Sequence, residues 1–158
     1  MRKLMRLMWA TFILSSCSSI DCPLNNFIRT KYVLSGNVTT LTDTLTVSAL
    51  KVDGKDTILL NRKIAAEYFL IPISYTQASD RLIFKLTSPQ SVTVTDTVVV
   101  NKINMPHFES VDCPATFFHT ITDLKWTRNA IDSMVITKSL VDNDTIGGHI
   151  QVYFKPGH

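Results

Sequence analysis

Hydrophobic and polar residues alternate over much of this chain, and the clearest example is Asp43–Leu50, which reads DTLTVSAL. A period of two is typical of a β-strand with one face on the core and the other in solvent. The dipeptide Asp53-Gly54 follows, and Asp-Gly between two β-rich segments predicts a hairpin. The return strand of this hairpin is then Asp56–Asn61.

The same pattern predicts strands along the rest of the chain. They are Phe27–Ser35, Asp43–Leu50, Asp56–Asn61, Arg81–Thr87, Val92–Asn101, Thr116–Leu124, Ile131–Leu140 and His149–Phe154. The segment Arg62–Ile71 is ambiguous, because its first half favours a helical turn and its second half a strand; we expect β structure. Pro72 cannot donate to a central ladder, so a strand that reaches it should be an edge strand.

Short strands separated by regular turn signals predict the fold class. We expect an all-β domain, a single antiparallel β-sandwich, immunoglobulin-like or related, of about eight strands. One polar residue stands at an inward position of this pattern. Asp96 alternates in phase with Val94 and Val98, so its carboxylate would be buried. A β-bulge near Asp96–Thr97 would re-aim the side chain, so we predict one there.

The N-terminus has the parts of an export signal. Arg2, Lys3 and Arg6 form a basic region, and Leu7–Leu14 is an apolar run too short to span a bilayer. Leu14-Ser15-Ser16-Cys17 then resembles a lipobox, in which the cysteine is lipidated and becomes the first residue of the mature protein. The alternatives are a plain secretory signal with a chance cysteine, or a buried N-terminal helix.

This interpretation divides the chain into three parts. Residues 1–16 are a lipoprotein signal peptide, residues 17–26 are a lipidated tether, and residues 27–158 are the β-sandwich domain. A lipid anchor at Cys17 places the protein in the cell envelope. Because Ser18 rather than Asp follows Cys17, we expect the outer membrane, with the domain facing either the periplasm or the cell surface.

Charge argues against a nucleic-acid partner. The whole chain carries 16 basic and 13 acidic side chains. Arg2, Lys3 and Arg6 leave with the signal peptide, so the mature chain has 16 − 3 = 13 basic against 13 acidic residues. The mature chain is formally neutral and has no basic stripe, the usual footprint of nucleic-acid binding.

Two cysteines remain once the lipidated one is set aside. In an oxidising compartment, Cys22 and Cys113 are expected to form one disulfide. They could instead be free structural thiols. A third hypothesis is that Cys113 is a nucleophile, with His107 or His119 as base and Asp112 as orienting group. Nothing in the sequence brings these residues together.

The remaining polar residues do not form a recognisable catalytic or metal-binding motif. The histidines lack ligand spacing, and His119 reads as a hydrogen-bonded residue at the core boundary. The segment Asp142–Asp144 reads as a polar turn. The mature chain has only two glutamates, Glu67 and Glu109, in contexts that do not suggest a glycosidase pair. We therefore predict no catalytic residue, no metal and no cofactor.

Three segments carry a resemblance to a known family. They are Met105–Cys113 (MPHFESVDC), Thr127–Asp132 (TRNAID) and Ile150–Phe154 (IQVYF). Together they resemble an uncharacterised lipoprotein family of Bacteroidota-type bacteria, a domain of unknown function, over essentially the whole mature chain. The resemblance implies an outer-membrane lipoprotein with an all-β domain, and it brings no catalytic residues.

The function expected from these observations is a non-enzymatic protein-interaction module, with an outer-membrane protein as the partner. The surface should be built from two irregular loop segments, Met105–Cys113 and Trp126–Ala130, in which apolar and aromatic residues stand beside polar ones. Its residues are Met105, His107, Phe108, Glu109, Trp126, Arg128 and Asn129.

Three alternatives to this interface stay open. Phe108 and Trp126 could plug the open end of the sandwich. A ligand- or glycan-binding lipoprotein would need Trp126 exposed beside a second aromatic. An enzyme would need a deep pocket that gathers His107, Glu109 and Asp112.

Overall fold

The computed structural model describes residues 28–51, 54–108 and 110–157, and the regular secondary structure of these residues is entirely β. The strands are β1 (Arg29–Leu34), β2 (Thr44–Leu50), β3 (Asp56–Lys63), β4 (Tyr68–Pro72), β5 (Ser79–Thr87), β6 (Thr93–His107), β7 (Thr116–Trp126), β8 (Ile131–Ile136), β9 (Leu140–Val141) and β10 (Ile150–Phe154). Within these ranges, no helix has the length and apolar character needed to cross a membrane.

The strands form two sheets that pack as a sandwich, which confirms the predicted fold class. A four-stranded sheet has the order β4-β1-β10-β8, and a six-stranded sheet has the order β3-β2-β5-β6-β7-β9. The pairing is antiparallel except between β1 and β10, which run parallel with Tyr32 opposite Ile150. The predicted hairpin is present, because β2 pairs with β3 and Leu50 lies opposite Asp56.

Two predicted segments are divided between the two sheets. The segment predicted as one strand, Ile131–Leu140, is divided: β8 ends at Ile136, and Leu140 begins β9 in the other sheet. The ambiguous segment after Asn61 crosses between the sheets, with positive φ at Arg62 and Ala65. As predicted, Pro72 ends an edge strand.

An aromatic cluster joins the two sheets at the centre of the core. Tyr32 of β1 stacks on Phe69 of β4 with ring centroids 5.0 Å apart. Both rings meet Phe84 of the larger sheet edge-on, at 5.8 Å and 5.7 Å. Edge-to-face and offset-stacked geometries suit the quadrupoles of aromatic rings, so this cluster holds the sheets face to face.

The predicted bulge at Asp96 is wrong. The β5–β6 register is continuous from Thr87 opposite Thr93 to Ser79 opposite Asn101, so Asp96 keeps its inward phase. Its buried carboxylate accepts four hydrogen bonds from the connection 127–130 and the first residue of β8. The register shift lies instead between β6 and β7, where Asn101 faces Asp123 but Lys102 faces Ile121.

The strand directions give the sandwich two distinct ends. The proximal end is defined by Ile28, whose carbonyl accepts a hydrogen bond from the backbone of Ile73. It carries the connections 73–78, 108–115 and 142–149. The opposite, distal end carries the connections 64–67, 88–92 and 127–130.

Candidate functional site

The candidate site lies on a part of β6 that extends beyond its neighbour β5. The β5–β6 ladder stops at Ser79 opposite Asn101, whereas β6 continues to His107 and pairs there with the beginning of β7. We call this two-stranded extension, residues 102–107 and 116–121, the β6–β7 ribbon. Strand β6 was predicted to end at Asn101, so the residues Met105–His107 are strand where the sequence predicted irregular structure.

One face of the ribbon carries an apolar patch that crosses three strands. Ile103 lies opposite Thr120, Thr120 lies opposite Leu140 of β9, and Met105 lies opposite Phe118. Residues opposite each other in an antiparallel ladder share a face of the sheet. Ile103, Met105 and Leu140 are between 38% and 57% exposed.

His107 completes this patch at the tip of the ribbon. Its imidazole stacks on the ring of Phe118, with centroids 4.3 Å apart and planes 17° from parallel. We call these five residues the ribbon patch: Ile103, Met105, His107, Phe118 and Leu140. Ile103, Met105 and Leu140 are exposed, whereas His107 and Phe118 are half-buried. A group of apolar and aromatic side chains that solvent can reach in this way is typical of a contact surface.

A buried polar cluster lies on the opposite face of the ribbon. Lys102 forms an ion pair with Asp80 at 2.8 Å, and the Lys102 side chain is fully buried. Asn104 donates from Nδ2 to the carbonyls of Tyr75 (3.0 Å) and Gln77 (2.9 Å), so its Oδ1 accepts from Nδ1 of His119 at 2.8 Å. These bonds fix the connection 73–78 to the ribbon.

The electrostatics of this cluster keep His119 uncharged at neutral pH. Burial, together with the nearby charge of Lys102, lowers the pKa of His119 to about 4. The prediction that His119 is a hydrogen-bonded residue of the core boundary is confirmed. A neutral, buried imidazole bonded to an asparagine has a structural role here, and it rigidifies the base of the ribbon.

A cavity of about 440 Å³ opens beside the same cluster. Its lining includes Lys51, Gln77, Asp80 and Arg81. The carboxylate of Asp80 is already engaged by Lys102 and by the backbone N–H of Ser74 at 3.1 Å. The acidic group of this cavity therefore serves the structure.

The second predicted segment, Trp126–Ala130, lies at the distal end. Trp126 is the last residue of β7 rather than a loop residue, and it is half-buried against the core. Its Nε1–H donates to the carbonyl of Asp132 at 3.3 Å, and the Arg128 guanidinium lies 5.9 Å from its ring centroid. Asn129 donates from Nδ2 to the Thr95 carbonyl at 2.8 Å.

The structure does not bring the two predicted segments together. Trp126 lies opposite Val98, whereas Met105 is seven residues farther along β6. At a rise of about 3.3 Å per residue, this places Met105 and Trp126 roughly 23 Å apart along the strand. Met105 and His107 belong to the ribbon patch, and Phe108 is exposed next to it.

The predictions about the N-terminus and Glu109 lie outside the described residues. These include the lipidation of Cys17 and the disulfide partner Cys22. Cys113 is described, in the connection between β6 and β7, and it is not a free thiol. Of its two suggested bases, His107 stacks on Phe118 and His119 is bonded to Asn104.

Three members of the ribbon patch were missed from the sequence. Ile103 and Leu140 fall just outside or at the end of predicted strands, and Phe118 was counted only as part of a strand. One signal was available for Ile103, because it stands two positions before Met105 in an alternating pattern. Its neighbour across two strands, Leu140, could not be found without the register.

Comparison with known proteins finds a family but no described relative. The model of a family of unknown function, DUF6452, matches residues 44–154, which run from the start of β2 to the end of β10. No curated protein and no solved structure match the chain. Strand β1, at the centre of the smaller sheet, lies before the matched region.

Proposed function

The chain belongs to the DUF6452 family of unknown function, and we propose that it is a non-enzymatic, lipid-anchored lipoprotein of the outer membrane. In this proposal its β-sandwich binds another envelope protein, and the partner is itself an outer-membrane protein. The observation that carries the proposal is the ribbon patch, an apolar surface on an extension of the larger sheet.

The composition of the ribbon patch favours a protein partner. Aromatic residues and methionine are enriched at the centres of protein interfaces, where charged residues are depleted. Met105, Phe118 and the His107 ring fit this description, and the patch contains no Asp, Glu, Lys or Arg. The formally neutral mature chain is consistent with recognition by packing rather than by net charge.

The rigidity of the patch also supports an interface. The ion pair of Lys102 and the hydrogen bonds of Asn104 and His119 hold the other face of the ribbon in place. A preorganised surface loses less conformational entropy on binding than a loop that must be ordered. The ribbon therefore presents its apolar side chains at low entropic cost.

The lipid anchor rests on the sequence of the N-terminus. The signal-like residues 1–16 and the lipobox at Cys17 support export and acylation. Two or more acyl chains are needed for stable membrane attachment, so we propose that Cys17 carries a diacylglyceryl thioether and an N-acyl chain. Mass spectrometry of the mature N-terminal peptide tests this, and an unmodified Cys17 contradicts it.

We also propose a disulfide between Cys22 and Cys113. Cys113 is not a free thiol, and its connection lies at the proximal end, where Ile28 also lies. Cys22 precedes Ile28 by six residues, a reach of about 20 Å in an extended chain. A bridge between Cys22 and Cys113 would close a loop of about 90 residues, which stabilises the folded state by about 4–5 kcal/mol in the chain-entropy model. Non-reducing peptide mapping that finds both cysteines reduced would refute it.

The interface is tested with a matched pair of substitutions. Ile103→Glu places a charge in the ribbon patch, and Ile58→Glu places the same charge on an isoleucine of comparable exposure in β3. Each variant is purified from detergent-solubilised membranes of its native cells after crosslinking. We expect Ile103→Glu to lose the bound envelope protein while Ile58→Glu keeps it, with equal thermal stability of the two. Retention of every partner by Ile103→Glu would rule out the ribbon patch.

One observation favours the alternative, a ligand- or glycan-binding lipoprotein. Tyr75, an exposed residue, stacks on Phe117 with centroids 5.0 Å apart. Exposed aromatic rings are common sugar platforms, because an apolar face with a polar edge suits a sugar ring. In that case Tyr75→Ala should abolish glycan binding, and Ile103→Glu should leave it unchanged.

A further inference from the structure

The proximal end of the sandwich exposes several large apolar side chains. Tyr75, Phe108, Val111 and Ile146 come from three different connections, and they are between 56% and 99% exposed. Their neighbours in sequence are mostly polar or small, as expected of loops. Exposure of several large apolar side chains at one end of a domain is unfavourable in water and is typical of a contact surface.

Strand register fixes all three connections at this end. Connection 73–78 follows β4, whose last residue Pro72 lies opposite Arg29. Connection 108–115 joins the last residue of β6 to the first of β7. Connection 142–149 follows Val141, which lies opposite His119 near the start of β7. At its other end, the backbone N–H of His149 donates to the carbonyl of Lys31 in β1.

The N-terminal segment enters the domain at the same end. Ile28 is bonded to Ile73 through the backbone, and Tyr75 lies two residues beyond Ile73. Ile28 is eleven positions after Cys17, so the lipidated residue can lie at most about 40 Å from it. If Cys22 is bonded to Cys113, five residues link Cys17 to the 108–115 connection, a reach of about 17 Å.

We infer that the proximal end docks on the phospholipid bilayer that holds the lipid anchor, with Tyr75, Phe108, Val111 and Ile146 in the interfacial layer. The inference rests on the proposed lipidation of Cys17. Apolar and aromatic side chains at a domain end add to acyl chains in holding a protein on a membrane. The orientation also places the ribbon patch beside the membrane, where an outer-membrane protein can reach it.

Part of the acidic charge at this end is balanced within the domain. Lys138 pairs with both acidic groups of the 142–149 connection, at 3.2 Å from Asp142 and 3.0 Å from Asp144. This single lysine compensates one of the two acidic charges near Ile146, which reduces their repulsion by anionic headgroups.

Fluorescence quenching by brominated lipids tests the orientation. The acylated full chain is reconstituted in vesicles of phosphatidylethanolamine and phosphatidylglycerol with brominated acyl chains. Single variants Phe108→Trp and Ile146→Trp report on the proximal end, and Ile64→Trp and Val92→Trp report on apolar positions of the distal end that are also exposed. Trp126, also distal, supplies the baseline emission of the unsubstituted protein.

We expect the added emission to be lost in the two proximal variants and retained in the two distal ones. The variant Val111→Trp provides a second reporter at the same end. Adding Phe108→Ser and Ile146→Ser to it should reduce the quenching of its emission. Mass spectrometry of the same sample reports the acylation of Cys17. Acylated protein without quenching at Phe108→Trp and Ile146→Trp would overturn the inference and leave the lipid anchor intact. Quenching at all four positions would also overturn it, and an unmodified Cys17 would remove both proposals.

Discussion

The carboxylate of Asp96 in β6 accepts a hydrogen bond of 2.7 Å from the backbone N–H of Ala130, 34 residues later in the chain. It also accepts from the backbone N–H of Ile131 (2.8 Å) and of Asn129 (2.8 Å), and from the Thr127 hydroxyl (2.6 Å). A single buried side chain thereby fixes the connection that leads from the larger sheet into the smaller one. Burial alone would raise the pKa of Asp96, but these four donors outweigh it and lower the pKa below its usual value.

Replacement of Asp96 by asparagine should therefore be strongly destabilising. The NH2 group of asparagine would face backbone N–H groups that donate to the carboxylate of Asp96, so donors would meet donors. The substitution also removes the charge-assisted hydrogen bonds. We expect Asp96→Asn to lower the free energy of unfolding by at least about 3 kcal/mol at pH 7. Urea denaturation measures the change.

Asp56→Asn, at an exposed position in β3, is the control and should change stability little. Because the pKa of Asp96 is lowered in the folded state, its stabilisation is present above the unfolded pKa of about 4 and is lost as pH falls below it. The difference between Asp96→Asn and the unsubstituted protein should thus shrink in acid. A difference that persists unchanged at low pH would contradict this account.

His119 should make the protein less stable in mild acid. Its pKa is lowered to about 4 by burial and by Lys102, whereas an unfolded chain has a histidine pKa of about 6.5. The unfolded state therefore takes up a proton first as pH falls from about 6.5 to 4, and stability drops by up to about 3 kcal/mol over that window. Denaturant midpoints measured across this range test the slope.

In His119→Gln the slope between these pH values should be reduced. The pKa of the buried His149 is also lowered, chiefly by burial, so part of the slope should remain. As a second measurement, Lys102→Met removes the positive charge near His119 and should raise the pKa of the imidazole, which an NMR titration can follow. An unchanged imidazole pKa in Lys102→Met would exclude the electrostatic contribution.

Trp126→Ala should destabilise the domain without affecting the ribbon patch. Trp126 packs partly against the core and donates to the Asp132 carbonyl. We expect a loss of about 2–3 kcal/mol, below that of a fully buried tryptophan. Trp126→Phe, which keeps most of the ring packing but not the hydrogen bond, should cost about 1 kcal/mol. If Trp126→Ala leaves thermal stability unchanged and abolishes co-purification of the partner, Trp126 belongs to the interface after all.

Two adjacent glycines separate backbone strain from steric overlap. Gly147 and Gly148 both have positive φ, at 74° and 82°. A Cβ added at Gly147 meets nothing within 4 Å, whereas one at Gly148 would lie 2.5 Å from Cγ2 of Val33. Gly147→Ala should cost about 1 kcal/mol, the usual cost of a left-handed alanine. Gly148→Ala should cost at least about 1 kcal/mol more, because the half-buried Val33 must move. If chemical denaturation shows the same loss of unfolding free energy for both variants, the Val33 side chain moves without a measurable cost.

The sequence by itself determined the class of the fold and most of its strands. The alternation of apolar and polar residues follows directly from the period of a β-strand, so it is visible without any tertiary information. It located β2, β5 and the first part of β6, and the hairpin after Leu50 followed from Asp-Gly. The edge position of Pro72 followed from its missing N–H.

Only the tertiary structure decided the surroundings of these strands. The alternation showed that Asp96 faces inward, but its donors lie more than 30 residues away, so the sequence could not show that the carboxylate is satisfied. It also could not show that Met105 and Trp126 lie far apart on one ladder, or that Ile103 and Leu140 share a face. Local pattern specifies which way a side chain points from its own strand, whereas the neighbour it meets depends on register and strand order, which are set by the packing of the whole chain.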